Sequence, residues 1–244
     1  MRVPRIYTAQ DLPTGREILL PEQAGEHAVR VLRLERGHPL ILINGDGREY
    51  DAELASLAKR AVTAVVKTSR EVNRETWLRI TLAQSIARGE KMDWILQKAT
   101  ELGVSHIVPL VTERTEVKLD DERAERRMAH WISVIESACE QCGRTSLPTL
   151  GPPQRIDKWL ASMEGNDVRC ALIPEGEISL KDLPAIEEGI VVVVGPEGGL
   201  SDQDVAMLRH AQFIGLRLGP RILRTETAGV AALSALQAMF GDLG

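Results

Sequence analysis

The sequence predicts an α/β protein in which a parallel sheet follows a small, separate β-rich domain. From Trp77 onward, short apolar runs alternate with longer amphipathic segments, which is the pattern of the strands and helices that build a parallel sheet. Residues 191–194 are all valine, as expected for a strand that is covered on both faces. Before Trp77, several strand-like segments and one short helical segment crowd into about 70 residues, a density typical of small barrels.

The β-rich part is built around a hairpin signal. Asn44-Gly45-Asp46-Gly47 is a strong turn sequence, and the segments on both sides of it have strand character. A short helix is predicted over 25–32, and the polar stretch 69–75 is the predicted linker. The predicted strands are 17–20, 39–43, 50–54 and 61–67.

The second part alternates between the two kinds of element. Its predicted strands are 78–83, 106–110, 168–173, 190–194 and 213–218. Its predicted helices are 92–102, 123–142, one that begins at Ser201, and 225–240. Gly103 closes the first of these helices. Ser201, with Asp204 three residues later, forms a variant of the capping box.

Composition limits the possible functions. The net charge of −5 argues against a nucleic-acid-binding protein that is basic over its whole surface. The charge is unevenly distributed, because residues 1–79 hold 13 Lys/Arg against 11 Asp/Glu, whereas the remainder holds 17 Lys/Arg against 24 Asp/Glu. Aromatic residues make up only 3% of the chain, so a platform of aromatic rings is not expected to bind bases by stacking. No apolar run has membrane-spanning length and the start of the chain lacks the apolar stretch of a secretory signal, so we expect a cytoplasmic protein without membrane contact.

Common catalytic and metal-binding motifs are missing from the sequence. It contains no G-x-G-x-x-G, no P-loop, no G-x-S-x-G and no H-E-x-x-H. Cys139 and Cys142 have metal-ligand spacing, but a second pair is missing and both lie in a helical run. We therefore expect reduced thiols and no metal site.

Two segments that join a strand to a helix carry the candidate site. The first, Gly195-Pro196-Glu197-Gly198-Gly199-Leu200, directly follows the predicted strand 190–194. Open α/β sheets bind ligands at such junctions, and glycines let the backbone approach a ligand closely. A purely structural turn is the alternative. Against it, two adjacent glycines cost backbone entropy, and Glu197 places a carboxylate in the loop.

The second segment, residues 218–228, leads into the last predicted helix. Thr225 is predicted as the N-cap of that helix, with Glu226 in its first turn. Capping does not explain Arg221 and Arg224, because a positive charge near a helix start opposes the helix dipole. A phosphate, a ligand carboxylate or an internal salt bridge would each supply the negative partner.

At these two segments the chain resembles the RsmE family, small-subunit ribosomal RNA methyltransferases that modify ring N3 of a uridine and belong to the SPOUT superfamily of knotted enzymes. The resemblance covers nearly the whole chain. Its blocks are residues 82–104, 136–144, 195–200 and 218–228, with 2–5 and 30–34 at the front. Arg88 stands where lysine is more usual in the family.

The resemblance implies a fold and a division of the chain. Residues 76–244 would form a SPOUT methyltransferase domain with a parallel sheet and a C-terminal trefoil knot. Residues 1–72 would form a PUA-like RNA-binding β-barrel. Knotted methyltransferases are usually homodimers, so a homodimer is expected.

It also implies a cofactor, S-adenosyl-L-methionine. The expected cofactor-binding residues are Ile173, Pro174, Gly195, Pro196, Glu197, Gly198, Gly199, Leu218, Gly219, Arg221, Ile222, Leu223, Arg224 and Thr225. Of these, the apolar side chains of Leu218, Ile222 and Leu223 would enclose the adenine.

The implied reaction is methylation of ring N3 of a specific uridine in the 16S ribosomal RNA of the small subunit. Arg224 would stabilise negative charge on the ring oxygens, and Glu226 or Glu197 would accept the imide proton. The arginines expected to contact the RNA backbone are Arg2, Arg5, Arg30 and Arg33. For each of these four, a solvated surface charge is the alternative.

Two other functions stay open at this stage. A knotted methyltransferase that acts on transfer RNA or on another base would use the same fold and cofactor. An RNA-binding module that has lost catalysis would keep the fold, although the intact loops 195–200 and 218–228 argue against it.

Overall fold

The computed structural model describes residues 3–58, 61–117 and 121–244. Contacts between residues divide the chain into two compact units. The first unit holds the described residues up to Glu75 together with Glu136–Leu147, and the second holds Thr76–Ile135 and Pro148–Gly244 with the same gaps. No pattern in the sequence indicated that 136–147 would group with the first unit.

The first unit contains one sheet, with five strands among the described residues. They are β1 (Arg5–Tyr7), β2 (Glu17–Leu19), β3 (Pro39–Ile43), β4 (Arg48–Ala58) and β5 (Ala61–Glu71). Their order is β1-β3-β4-β5-β2, with β1 parallel to β3 and the other pairs antiparallel. The four predicted strands are confirmed, whereas β1 was missed because three residues are too few to show a period. Closure into a barrel stays a prediction.

The predicted helix 25–32 is found in an altered form. An α-helix, α1 (Glu22–Glu26), is followed directly by a π-helical turn, His27–Val31. Periodicity cannot distinguish these two forms over so few residues. The core beside this segment consists of apolar side chains from all five strands and their connections. Its largest fully buried members are Ile6, Leu40, Leu42 and Leu54.

The second unit contains the parallel sheet. Its strands are β6 (Ile80–Ser85), β7 (His106–Val111), β8 (Thr149–Leu150), β9 (Gln154–Arg155), β10 (Val168–Leu172), β11 (Ile178–Ser179), β12 (Ile190–Val194) and β13 (Ile214–Arg217). Its helices are α2 (Lys91–Glu101), α3 (Asp121–Cys142), whose last residues group with the first unit, α4 (Ile156–Ala161), α5 (Asp202–His210) and α6 (Thr225–Phe240). None of the helices in the described residues is long and apolar enough to cross a membrane.

The strand order brings distant parts of the chain to one edge. Among the described residues the order is β11-β13-β10-β12-β6-β7-β8, β9 also pairs with β7, and every pair is parallel. The predicted parallel sheet is therefore confirmed. The strands β8, β9 and β11 were not predicted, since two-residue strands show no alternation. Because the carboxyl ends of parallel strands share an edge, the segments after β10, β12 and β13 meet there.

The central position of β12 explains its composition. All five residues of Ile190–Val194 are buried, and Val193 packs in a cluster with Leu110, Leu208 and Phe213. The helix after β12 begins as predicted. The Ser201 hydroxyl accepts a hydrogen bond from the Asp204 backbone N–H at 3.1 Å, and the Asp204 carboxylate accepts one from the Ser201 N–H at 3.0 Å. This cap fixes the far end of the loop that follows β12.

Candidate active site

A cavity of about 760 Å³ lies where the segments after β10 and β12 meet the start of α6. Residues 172–175, 194–200 and 222–226 supply most of its wall. A smaller pocket of about 70 Å³ shares part of this wall and reaches toward residues 216–221. The side chains and backbone expected at the cofactor line one or both spaces: Ile173, Pro174, Gly195, Pro196, Glu197, Gly198, Gly199, Leu218, Gly219, Arg221, Ile222, Leu223, Arg224 and Thr225.

The first loop, residues 195–200, leaves no room for a side chain at its start. A Cβ on Gly195 would lie 2.8 Å from the backbone nitrogen of Leu200, closer than such atoms approach. Gly199 has a φ of +68°, which favours glycine. Arg114, in the segment after β7, donates hydrogen bonds to the carbonyl oxygens of Gly198 and Leu200 at 2.9 and 3.3 Å. The loop backbone is therefore tightly curved and held by a charged donor.

The second loop is tied to the first by Thr225. Its hydroxyl donates a 2.6 Å hydrogen bond to the carbonyl oxygen of Gly195 and accepts one from the Gln84 side-chain amide at 2.9 Å. The prediction that Thr225 is the helix N-cap is wrong. Arg224 occupies that position, without a side-chain cap, and Thr225 is the first helical residue. The buried carbonyl of Gly195 competes for the hydroxyl that would otherwise cap the helix.

Glu197 is held by two donors. Its Oε1 accepts hydrogen bonds from Lys91 Nζ at 3.0 Å and from the backbone N–H of Arg88 at 3.1 Å. Burial raises the pKa of Glu197, but these two hydrogen bonds, together with the backbone N–H of Glu197 and the charge of Lys91, outweigh burial, and the net pKa is lowered. Because Arg88 acts here through its backbone, this contact does not depend on its side chain, which pairs with Glu116 instead.

Glu226 lies in the first turn of α6 and differs from Glu197 in its surroundings. Its Oε2 is buried and has no hydrogen-bond partner among the described residues. Lys91 Nζ lies 4.0 Å from that oxygen, at the limit of an ion pair. The positive end of the α6 dipole favours a negative charge at this position.

Arg221 and Arg224 are both exposed. Within the part of the chain that the structure describes, neither guanidinium has a hydrogen-bond or ion-pair partner. Among the described residues, the internal salt bridge that the sequence left open is therefore not formed. Beside them, Ile222 has 83% of its surface exposed at the cavity wall. Such exposure of a large apolar side chain is what an apolar ligand group would cover.

Of the first two arginines expected to contact RNA, Arg5 is paired within the protein and Arg2 stays a prediction. Arg2 lies outside the described residues. Arg5 is 10% exposed and pairs with the buried carboxylate of Glu49 at 2.9 Å. An arginine that neutralises a buried carboxylate is not free to bind phosphate.

The other two arginines lie on the surface of the first unit. Arg30 is 72% exposed, pairs with Glu26 one turn earlier at 3.1 Å, and lines a cavity of about 710 Å³ in that unit. Arg33 is exposed and has a φ of +52°, which is uncommon for any residue except glycine. Both side chains are accessible to a phosphate.

Three residues of the site were not identified from the sequence: Lys91, Arg114 and Gln84. Lys91 opens α2 after β6, and Arg114 follows β7, so both lie beyond the carboxyl ends of strands in the same sheet. The positional rule that identified the loops after β12 and β13 would have identified these two as well. Gln84 gave no signal, because a polar residue at the end of an apolar strand has no distinctive spacing.

Models of known families match the chain in two places. A family described as RNA methyltransferase domain matches residues 74–237, and one described as RNA methyltransferase PUA domain matches residues 20–67. The first match covers the whole cavity described above. A PUA domain therefore precedes a methyltransferase domain in the chain.

Individual relatives cover the chain almost completely. The ribosomal RNA small subunit methyltransferase E of Buchnera aphidicola subsp. Schizaphis graminum is 32% identical, over 99% of this chain and 98% of its own. Two solved structures each match over 100% of both chains. A putative methyltransferase from Legionella pneumophila in complex with S-adenosylmethionine is 41% identical with a TM-score of 0.96. A ribosomal RNA small subunit methyltransferase E from Neisseria gonorrhoeae bound to S-adenosylmethionine is 37% identical with a TM-score of 0.95.

Proposed function

Because the chain belongs to the ribosomal RNA small subunit methyltransferase E family, we propose that it methylates ring N3 of a specific uridine in 16S ribosomal RNA, with S-adenosyl-L-methionine as the methyl donor. The observation that carries the proposal is the cavity formed by residues 172–175, 194–200 and 222–226. The residues expected at the cofactor from the resemblance line this cavity or the pocket beside it.

The cavity fits S-adenosylmethionine in size and chemistry. A volume of about 760 Å³ lies within the range of small-molecule sites. Ile222 and Leu223 offer apolar surface for the adenine, and Gly195 lets the backbone approach it. The carboxylates that line the cavity, including Glu175 and Asp202, favour the positive charge of a sulfonium. When bound, the cofactor supplies an electrophilic methyl group on a cationic sulfur.

The residues of the chain then have distinct tasks. The imide N–H of uracil is weakly acidic, so its nitrogen becomes nucleophilic only when the proton is removed or the ring anion is stabilised. Arg224, exposed at the cavity wall, donates hydrogen bonds to the ring oxygens as negative charge develops there. Glu197 or Glu226 accepts the proton. Alignment of the methyl group with the nitrogen supplies a further part of the rate enhancement.

The RNA reaches this cavity as an unstacked nucleotide, because a base within a helix cannot enter a pocket. Residues 1–72 form a PUA-like β-barrel that binds the RNA backbone, with Arg30 and Arg33 as phosphate contacts. Residues 76–244 form the methyltransferase domain, and the trefoil knot lies in its last part. The family match to a PUA domain and the accessibility of both arginines support this division. The active form is a homodimer that acts on the small subunit in the cytoplasm.

Transfer of radiolabelled methyl to small ribosomal subunits that lack the modification tests the proposal. Digestion to nucleosides should yield labelled N3-methyluridine, and transfer RNA offered in parallel should stay unlabelled. Arg224→Ala should lower kcat by about 100-fold, the usual effect of removing a group that stabilises developing charge. Arg155→Ala is the matched control, since Arg155 is 66% exposed and does not line the cavity. Label on transfer RNA alone would keep the chemistry and overturn the substrate, and cofactor binding without any label would overturn the reaction.

A further inference from the structure

We propose that Glu226 is the catalytic residue that accepts the N3 proton. Lys91 is a positioning residue, which hydrogen-bonds Glu197 and so keeps Glu197 from accepting that proton. The inference rests on the methyl transfer proposed above. Glu197 and Glu226, which line the same cavity, thus have different roles, and Lys91 has a role that no sequence motif indicated.

One oxygen of the Glu197 carboxylate accepts two hydrogen bonds within the protein. Lys91 Nζ and the Arg88 N–H both donate to the same oxygen, Oε1. A carboxylate in this arrangement is bound in place and is a weaker proton acceptor, because each donor stabilises its charged form. The lowered pKa of Glu197 agrees with this geometry. Glu197 is therefore suited to hold the loop after β12 in place.

Glu226 has the opposite property. Its Oε2 is shielded from solvent and lacks a hydrogen-bond donor among the described residues. A buried acceptor without a partner is unfavourable, and native structures usually supply one from a ligand or a water. Glu226 lines the cavity, so a rotation of its carboxylate would bring this oxygen to an N–H group of a bound substrate. The N3–H of uracil is such a donor, and it is the proton that the reaction removes.

Lys91 lies between the two carboxylates. Its Nζ is 3.0 Å from Glu197 Oε1 and 4.0 Å from Glu226 Oε2, so it hydrogen-bonds the first and acts on the second through charge alone. The ammonium thus directs its donors to Glu197 and leaves the Glu226 oxygen open. The charged side chains that line the cavity around Glu226 are Lys91, Arg114, Glu175, Glu197, Asp202, Arg209 and Arg224.

The step balances as a simple substitution. Glu226 Oε2 takes the proton from N3 and becomes a neutral carboxylic acid. The nitrogen lone pair forms a bond to the methyl carbon, and the electron pair of the breaking carbon–sulfur bond stays on sulfur. The sulfonium charge and the carboxylate charge disappear together. The acid returns its proton to water when the methylated RNA leaves.

The first variant is Glu226→Gln, which keeps the shape of the side chain and removes its basicity. We expect kcat for N3-methyluridine formation to fall by about 100-fold or more, the usual contribution of a general base. Equilibrium dialysis with labelled S-adenosylmethionine should show a Kd within about threefold of wild type, because the lost interaction belongs to the transition state. Glu101→Gln is the matched control. Glu101 lies on α2, pairs with Lys98 at 2.8 Å, and is not part of the cavity wall, so its rate should not change.

The second variant is Lys91→Met, made in the Glu226→Gln background. Loss of the ammonium removes the hydrogen bond that Lys91 donates to Glu197, so Glu197 can accept the proton and kcat should rise at least about threefold above that of Glu226→Gln alone. Lys91→Arg in the same background should not raise kcat, because it keeps the charge and the donors. Lys98→Met is the control, since Lys98 is on the same helix, is similarly exposed and also pairs with a carboxylate. Replacement of a merely structural lysine would change stability and would not raise kcat in the Glu226→Gln background.

The results distinguish failure of the proposed methyl transfer from failure of the roles proposed for Glu226 and Lys91. If wild-type protein forms no N3-methyluridine on small subunits, the proposed function fails. If wild type forms it and Glu226→Gln keeps its kcat, or loses only cofactor affinity, Glu226 is not the proton acceptor and this inference fails. If Lys91→Met does not raise kcat in the Glu226→Gln background, the role of the lysine is overturned. Circular dichroism and melting curves of each variant confirm that the fold is intact.

Discussion

The hydroxyl of Thr225 donates a 2.6 Å hydrogen bond to the carbonyl oxygen of Gly195, which joins the two loops of the candidate site across 30 positions of sequence. The same hydroxyl accepts a hydrogen bond from Gln84, a fully buried residue of β6. A single side chain thus connects the start of α6, the loop after β12 and the centre of the sheet. The relative position of the two loops depends on it.

Replacing Thr225 with valine removes this connection at nearly constant volume. The Gly195 carbonyl loses a donor and the Gln84 amide loses an acceptor, both in buried surroundings, so stability should fall by about 1–3 kcal/mol. The Kd for S-adenosylmethionine should rise about tenfold, which corresponds to about 1.4 kcal/mol. Isothermal titration calorimetry and thermal melting measure these two effects. Thr227→Val, at an exposed position of the same helix turn, should change neither. An unchanged Kd in Thr225→Val would show that the loops hold their positions without this bond.

Gly195→Ala tests the close approach within the first loop. The added methyl group would lie 2.8 Å from the backbone nitrogen of Leu200, so the loop must move. We expect cofactor affinity to fall by at least about tenfold, because the lining of the cavity shifts with the loop. Gly151→Ala is the control, since a Cβ there meets its nearest atom at an ordinary 3.6 Å. Equal cofactor affinity in the two variants would contradict the account of the loop.

Glu136→Gln tests a carboxylate whose pKa is raised in the first unit. Burial raises it most, and the nearby charge of Glu140 on the same helix adds to the effect. The folded pKa therefore lies above the unfolded one, and the contribution of Glu136 to stability declines as pH rises through that window. The variant should melt at a higher temperature than wild type near pH 8 and at the same temperature near pH 4. Glu125→Gln, at an exposed position of α3, should leave both temperatures unchanged. A lower melting temperature near pH 8 would contradict the burial argument.

The sequence predicted those parts of the site that have local signals. The loops after β12 and β13 were identified because glycine, proline and arginine clusters follow apolar strands directly. Lys91 and Gln84 were missed because their partners are 106 and 141 positions away, and only the strand order brings them together. The N-cap assignment of Thr225 failed for a related reason. A local capping preference of about 1 kcal/mol lost to a buried carbonyl from another loop.

The first unit shows the same limit. Alternation predicted the strands 50–54 and 61–67, because one face of each is buried. It did not predict that Glu49 would be buried, since a charged residue at a strand start is usually exposed. The expectation that Arg5 contacts RNA came from the family resemblance of residues 2–5 at the front of the chain. The pairing of β1 with β3 and of β3 with β4 brings Arg5 to Glu49, and no local pattern contains that information.

Glu49→Gln tests this buried carboxylate directly. Glu49 is 2% exposed and pairs with Arg5, Arg70 and Arg74. Burial alone raises its pKa, but hydrogen bonds from the three guanidinium groups outweigh burial and lower the pKa to about 2. Since the folded pKa lies below the ordinary value of 4.5, the stabilisation is complete above pH 4.5 and is lost as pH falls toward 2. This lowering of the pKa corresponds to about 3 kcal/mol of folding free energy at neutral pH.

The variant should therefore lose about 3 kcal/mol of stability at pH 7, and its disadvantage should shrink as pH falls from 4.5 to 2. Hydrogen exchange of peptides from β4 and β5 measures the stability of the first unit separately from that of the second. Glu53→Gln is the control on the same strand, because its pair with Lys67 at 3.4 Å is about half exposed on both sides and contributes little. A constant difference between wild type and Glu49→Gln over this pH range would mean that the arginines do not stabilise the charged form. If the variant is as stable as wild type at pH 7, the free-energy cost of burying the Glu49 carboxylate equals the stabilisation that its three arginine partners supply.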